Sequence, residues 1–176
     1  MEIRIRQENQ NDYPKVHELI EAAFRNIEYS DHKEHFLVER LRKSDAFIPE
    51  LSLVAEIENE IVGHILLTRL RIENQTESFE SLALAPVSVK PEFHGKGIGS
   101  RLITESHSIA KRLGYTSIIL IGHKNYYPRF GYEPTSKYGI KTPFNVPEEN
   151  CMIVSLTEKG LLSVRGEIKY PKEFFE

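Results

Sequence analysis

The stretch from Leu82 to Tyr132 limits what this chain can become more than any other. An apolar, β-prone run, Leu82–Val89, leads to Gly95-Lys96-Gly97-Ile98-Gly99, and a run with helical period, Ile98–Leu113, follows at once. Glycine adopts backbone angles that other residues resist and lets a ligand come close to the main chain. The first turn of a helix leaves N–H groups unpaired and carries partial positive charge. Strand, glycine turn and helix start, in that order, make a cradle for phosphate oxygens. The same spacing also serves a tight turn with no ligand. Two common phosphate motifs do not apply. No G-x-x-x-x-G-K-[ST] run occurs. The dinucleotide fingerprint G-x-G-x-x-G is not met by G-x-G-x-G, and Arg112 to Lys124 supplies no acid.

Charge is distributed as an anionic ligand would require. The whole chain carries −3, which disfavours nonspecific nucleic-acid binding. Between Lys90 and Arg129, however, seven Lys/Arg stand against two Asp/Glu, a local balance of +5 that leaves −8 for the rest. Lys111 and Arg112 in that count also suit the C-terminal end of a helix. A chain of 176 residues, 40% hydrophobic, is expected to form a single domain, 1–176, with a folded core. Cys151 is the only cysteine, so no internal disulfide forms, which fits a cytoplasmic location. No apolar run approaches the ~20 residues of a membrane span. Met1 to Arg6 alternates charge and apolar character, unlike a signal peptide.

In chain order, Glu2–Arg6 reads as a half-buried strand. Pro14 falls in the first turn of a helix whose apolar positions include Val16, Leu19 and Ile20. A second helix is expected over Lys33 to Lys43, with Phe36, Leu37, Arg40 and Leu41 on its inner side. Leu51–Ile57 and Ile61–Ile72 read as a hairpin. Gly63 inside it marks a bulge or a close approach, and His64 stands beside it. Glu73–Glu80 is polar and turn-like, and Pro86 should disturb the strand Leu82–Val89. Ile98, Leu102, Ile103, Ile109, Ala110 and Leu113 form the buried stripe of the long helix, which Gly114 ends. Thr116–Ile121 reads as a strand buried on both faces. Pro134 to Pro147 is a long polar connection, followed by strands at Cys151–Leu156 and Val164–Tyr170.

The run Val87-Ser88-Val89-Lys90-Pro91-Glu92-Phe93-His94-Gly95-Lys96-Gly97-Ile98-Gly99 resembles the acetyl-coenzyme A signature of the GNAT acetyltransferase superfamily, a strand ending V-x-P followed by [QR]-x-x-G-x-[GA]. The likeness continues through Gly114-Tyr115, Ile118–Ile121 and Tyr126-Tyr127-Pro128-Arg129-Phe130-Gly131-Tyr132, which stands where the family has Y-x-x-x-G-[FY]. Gly166 to Pro171 and Phe174 look like the tail of the YhbS-like branch. One position departs: His94 replaces the usual Gln or Arg, which weakens a side-chain contact to the cofactor and leaves the main-chain cradle.

The resemblance implies an α/β fold: a mixed, mostly antiparallel sheet splayed between its fourth and fifth strands, with helices on both faces. The cofactor core would be about 82–132 and the C-terminal strands and tail 133–176. It also implies transfer of an acetyl group from acetyl-CoA to a primary amine, by direct attack in a ternary complex. The cradle Gly95, Lys96, Gly97, Ile98, Gly99 and Ser100 would grip the diphosphate, helped by Arg101 and His94. The strand segment Val87, Ser88 and Val89 would bind the pantetheine through its main chain, and one free N–H near Val87 would polarise the thioester carbonyl. Asn125 and Tyr127 complete the cofactor set. Tyr127, four residues before Gly131, would be the general acid; packing alone is the alternative for Tyr126 and Tyr127. His123 and Glu80 are the candidate bases, with ordered water as the other route. In this superfamily the region between strands one and two lines the acceptor site, so His32, Glu34, His35 and Glu39 are candidates there or a solvated helix face. Cys151 has no neighbouring signal of activation, which argues against an acyl-cysteine route. No Cys/His set has zinc spacing, so no metal is expected. Dimers are common in similar proteins. A binding module that senses acetyl-CoA without turnover, and transfer of a longer acyl group, are the alternative functions.

Overall fold

The computed structural model describes residues 1–176. Nine strands form the sheet: β1 Arg4–Gln7, β2 Phe47–Ile57, β3 Glu60–Glu73, β4 Ser78–Val89, β5 Ser117–Ile121, β6 Glu133–Pro134, β7 Ile140–Lys141, β8 Cys151–Ser155 and β9 Gly166–Lys169. The helices are α1 Tyr13–Phe24, α2 Glu34–Arg42 and α3 Ile98–Arg112. The hydrogen-bonded order is β1-β2-β3-β4-β5-β8-β6, with β9 pairing β3 and β7. β1–β2, β2–β3, β5–β8, β6–β8 and β3–β9 are antiparallel; β4–β5 and β7–β9 are parallel. No helix is long and apolar enough to cross a membrane.

Two compact units divide the chain: Met1–Thr68 with Ala85–Ile109 and Glu173–Glu176, and Arg69–Leu84 with Ala110–Lys172. In the first, the core joins α1 and α2 to one sheet face: Val16, Leu19 and Ile20 of α1, Val38 and Leu41 of α2, Val54 and Leu66 of the sheet. Alternate residues of a strand point to opposite faces. Gly63, of opposite parity to Leu66, accordingly faces α3. A Cβ there would lie 2.9 Å from Ile98 Cγ2 and 3.0 Å from Leu102 Cδ1, so glycine lets the first turn of α3 rest directly on the sheet. The register steps from Ala55↔Gly63 to Glu56↔Ile61, so Gly63 also sits at a bulge. Gly63→Val should cost about 1–3 kcal/mol by overpacking, read as a lowered midpoint in denaturant unfolding.

The second unit is built around β5, whose Ser117 to Leu120 are buried. β5 pairs antiparallel with β8 over its whole length, Ser117↔Ser155 to Ile121↔Cys151. Its parallel register with β4 is Leu82↔Ile118 and Ala83↔Ile119. Gly114, at φ 93°, ends α3: its N–H donates to Lys111 O (3.1 Å) and the Tyr115 N–H to Ala110 O (3.1 Å).

Several expectations change. Leu113 is 45% exposed because the chain has already left the helix at Arg112. On α2 the buried residues are His35, Val38 and Leu41, while Phe36 is 47% exposed, so the inner stripe is turned from the one expected. Glu73–Glu80 is half strand, since Glu73 ends β3 and Ser78–Glu80 open β4. Only 74–77 turns, held by Asn74 Oδ1 accepting the N–H groups of Thr76 and Glu77 (both 3.0 Å). Between that turn, where Asn74 N–H meets Glu77 O, and the bond from Lys90 N–H to Val62 O, β4 carries one residue more than β3. The extra residue falls between Glu77 and Lys90, a span that includes Pro86. The connection after Pro134 is not polar throughout, for it holds β7 and a buried Ile140.

Candidate active site

The cradle lies in the first unit. After β4, Pro91–Phe93 makes one 3-10 turn, and α3 begins at Ile98. Gly95 (φ 76°) and Gly97 (φ 77°) both take the left-handed conformation that disfavours a side chain, and an added Cβ at either would meet nothing within 4 Å. These glycines are therefore required by backbone shape, and open space lies over them. The first helical bond is from Arg101 N–H to Gly97 O (3.1 Å), so the preceding amides of the first turn have no partner within the helix. Gly95 and Lys96 are exposed, Gly99 and Ser100 partly so, and Ile98 is buried as the anchor against Gly63. Arg101 is exposed, and the Lys96 ammonium lies 5.9 Å from the Phe93 ring centroid.

His94 has a local partner. Its Nε2 lies 3.0 Å from Val89 O, so the imidazole, protonated at Nε2, donates to the end of β4 and braces the turn. Lys90 is held by Glu60 at 2.5 Å. On β4, Val87 and Val89 are half-buried, whereas Ser88 turns its hydroxyl into the interior at 3% exposure.

Tyr127 lies in the second unit, on the 3-10 turn Tyr127–Phe130 that Gly131 (φ 95°) caps. Its ring is edge-on to Tyr126 (5.0 Å between centroids) and to Tyr132 (5.9 Å). Burial, with Tyr127 beside it, holds the Tyr132 phenol well above its ordinary pKa. A Cβ on Gly122 would collide with the Tyr127 ring, so this glycine makes the ring's seat. Asn150 fixes that glycine from both sides: Gly122 N–H donates to Asn150 O (2.9 Å) and Asn150 Nδ2 to Gly122 O (3.0 Å). Asn150 carried no local signal, because 28 residues separate the partners.

The two candidate bases are not equivalent. His123 is exposed, and its Nδ1 accepts the Asn125 N–H at 3.2 Å, which leaves the proton on Nε2. Neither nitrogen then offers a free lone pair. Glu80 is exposed and paired with Arg71 at 3.8 Å. It precedes Leu82, which faces Ile118, so it lies toward the start of β5, about 20 Å along the strands from Gly122.

Among the residues suggested for the acceptor, His35 is buried and stacks near His17 (4.6 Å) and Phe36 (4.1 Å). Glu39 accepts from His17 Nδ1 (2.7 Å), Glu34 from Ser30, and His32 Nδ1 donates to Phe24 O (2.9 Å). His64 is fully buried and far from solvent. It belongs to a network with no sequence signal: Ser52 Oγ donates to Glu8 Oε2 (2.5 Å), Arg42 pairs with the same carboxylate, and His64 Nε2 lies 3.4 Å from Ser52 Oγ. Burial pushes the Cys151 thiol up, away from nucleophilic character. No group of three or more His, Cys, Asp or Glu could hold a metal ion.

The description of the family model that matches residues 4–135 is a GNAT acetyltransferase domain. The chain belongs to the GNAT acetyltransferase family. It is 38% identical to the uncharacterized N-acetyltransferase YjhQ of Escherichia coli K12 over 141 residues, 78% of this chain and 77% of that protein. It is 27% identical to the uncharacterized N-acetyltransferase YhbS of the same strain over 171 residues, 97% of both. These relatives support the YhbS-like bacterial branch. Among solved structures, E. coli YhbS in complex with CoA superposes with a TM-score of 0.87 at 24% identity, covering 99% of this chain and 92% of that one. A GNAT acetyltransferase from Brucella melitensis in complex with acetyl-CoA gives 0.81 at 29% identity, with 98% of both chains covered. The sheet with its parallel β4–β5 pair is thus the GNAT fold.

Proposed function

We propose that this GNAT protein transfers an acetyl group from acetyl-CoA to a primary amine by direct attack in a ternary complex. One observation carries the reading: two left-handed glycines with open space above them, at the N-terminus of a helix that Gly63 seats against the sheet. Amides held in that shape complement a diphosphate. The Brucella melitensis relative, solved with acetyl-CoA, supports the choice of donor. Acetyl-CoA would supply the activated acyl group as a thioester. The main chain of Val87 and Val89 would pair with its pantetheine arm as an added strand does, and the N–H near Val87 would polarise the thioester carbonyl. Tyr127 would protonate the leaving thiolate from its hydroxyl. The amine would lose its proton to water, since His123 has its Nδ1 engaged and Glu80 stands at the other end of its strand.

Titration calorimetry with CoA tests the cradle, and thioester consumption with a panel of amines tests turnover. Binding with no turnover on any amine would favour the sensor reading, and turnover with longer thioesters only would favour a longer acyl donor. Gly97→Ala should weaken CoA binding about tenfold, because alanine resists a positive φ and its methyl occupies space the ligand needs. Unchanged affinity would remove Gly97 from the site.

A further inference from the structure

Glu8, Arg42, Ser52 and His64 lie in the interior of the first unit, and their hydrogen bonds fix the tautomer of His64. Ser52 Oγ spends its proton on Glu8 Oε2 (2.5 Å) and can therefore only accept from His64 Nε2 at 3.4 Å. Glu8 Oε1, at 3.7 Å, is the second acceptor facing the same nitrogen. The proton is on Nε2, and Nδ1 is a bare acceptor. That Nδ1 is buried with no protein partner, in a residue of 0% exposure. Ser88 Oγ is also buried without a partner. The bond from Lys90 N–H to Val62 O (2.9 Å) sets these residues opposite one another on β4 and β3. Two steps back along β4 and two forward along β3 bring Ser88 across from His64, on one face. Two orphaned polar groups on adjacent strands, one a pure acceptor and the other a hydroxyl, form a built polar site. Leaving either unsatisfied is costly.

We propose that one internal water joins His64 Nδ1 to Ser88 Oγ, donating to the imidazole nitrogen, and that this bridge positions the β4 segment between Val87 and Val89. Ser52 and Glu8 hold the imidazole, the imidazole holds the water, and the water holds the strand. His64 and Ser88 are positioning residues, with no contact to substrate. The consequence for acetyl-CoA rests on the function proposed above; the bridge itself does not.

The test is the imidazole spectrum of the 15N-labelled full chain at neutral pH. In the wild-type protein the His64 Nδ1 resonance should sit where a hydrogen-bonded, unprotonated ring nitrogen sits. Ser88→Ala should move it toward the unbonded position and raise the CoA dissociation constant about threefold. A wild-type Nδ1 already at the unbonded position, or one unmoved by Ser88→Ala, overturns the bridge. Should Ser88→Ala not fold, a crystal structure of the wild-type protein decides: a solvent molecule between the two atoms supports the bridge, and direct contact or an empty gap refutes it. Failure of CoA to bind the wild-type protein would sink the proposed function and leave the Nδ1 reading intact.

Discussion

Replacing Tyr127 with Phe should lower kcat about 100-fold at neutral pH and leave CoA affinity unchanged, the scale expected for loss of one general acid. The ring itself should stay where it is. It is fixed by edge-on contacts to Tyr126 and Tyr132 and by the space Gly122 leaves, none of which involves the hydroxyl. Asn150 holds Gly122 through two hydrogen bonds, so the seat is independent of the phenol. Phe therefore keeps the ring's seat and removes only the hydroxyl. Steady-state kinetics alongside CoA titration separate the outcomes. A full wild-type kcat in Tyr127→Phe would show that the thiolate takes its proton elsewhere, and a parallel loss of CoA affinity would reassign Tyr127 to binding.

The second large effect is on stability in acid. Burial first, and the Arg42 charge second, push His64 from its ordinary value of 6.5 down to about 3. The groups facing it are the Glu8 carboxylate, the Arg42 guanidinium and the hydroxyl of Ser52. The unfolded chain binds a proton at His64 below about pH 6.5 while the folded chain does not. Stability tied to His64 is therefore intact above pH 6.5, falls as the pH drops, and levels off near pH 3. The slope is about 1.4 kcal/mol per pH unit at its steepest, and other acids add their own terms. Urea unfolding at several pH values between 7 and 4, on the wild type and on His64→Gln, isolates the contribution. The variant should lose less stability per pH unit over that range, whatever it loses at pH 7. Parallel profiles would mean that His64 stays neutral in the unfolded chain or is solvated in the folded one.

The local elements were legible because their causes are local. Gly95 and Gly97 announce a turn that other residues resist, and Gly114 ends α3 where its spacing says it should. β4, which contains Pro86, carries one residue more than β3 between Glu77 and Lys90. The order of strand, cradle, helix and strand, and with it the family, lay within one contiguous stretch. Element edges were harder. Leu113 fits the apolar spacing of α3 but lies past its last turn, and α2 turns His35 and Val38 inward while Phe36, which the spacing places inside, is exposed.

By itself, then, the sequence determined the fold family and the glycine turn that opens α3, since both depend on backbone conformations that short runs of Gly, Pro and β-branched residues dictate. Only the tertiary structure decided what surrounds them. Gly63 beneath Ile98, Asn150 around Gly122, and Glu8 with Ser52 and Arg42 about His64 are contacts between residues far apart in the chain. Folding alone brings such partners within reach, and no spacing in the sequence encodes which buried polar group will meet which. The same holds for His94 and His123: each looked free to act until folding gave its ring nitrogen a main-chain partner.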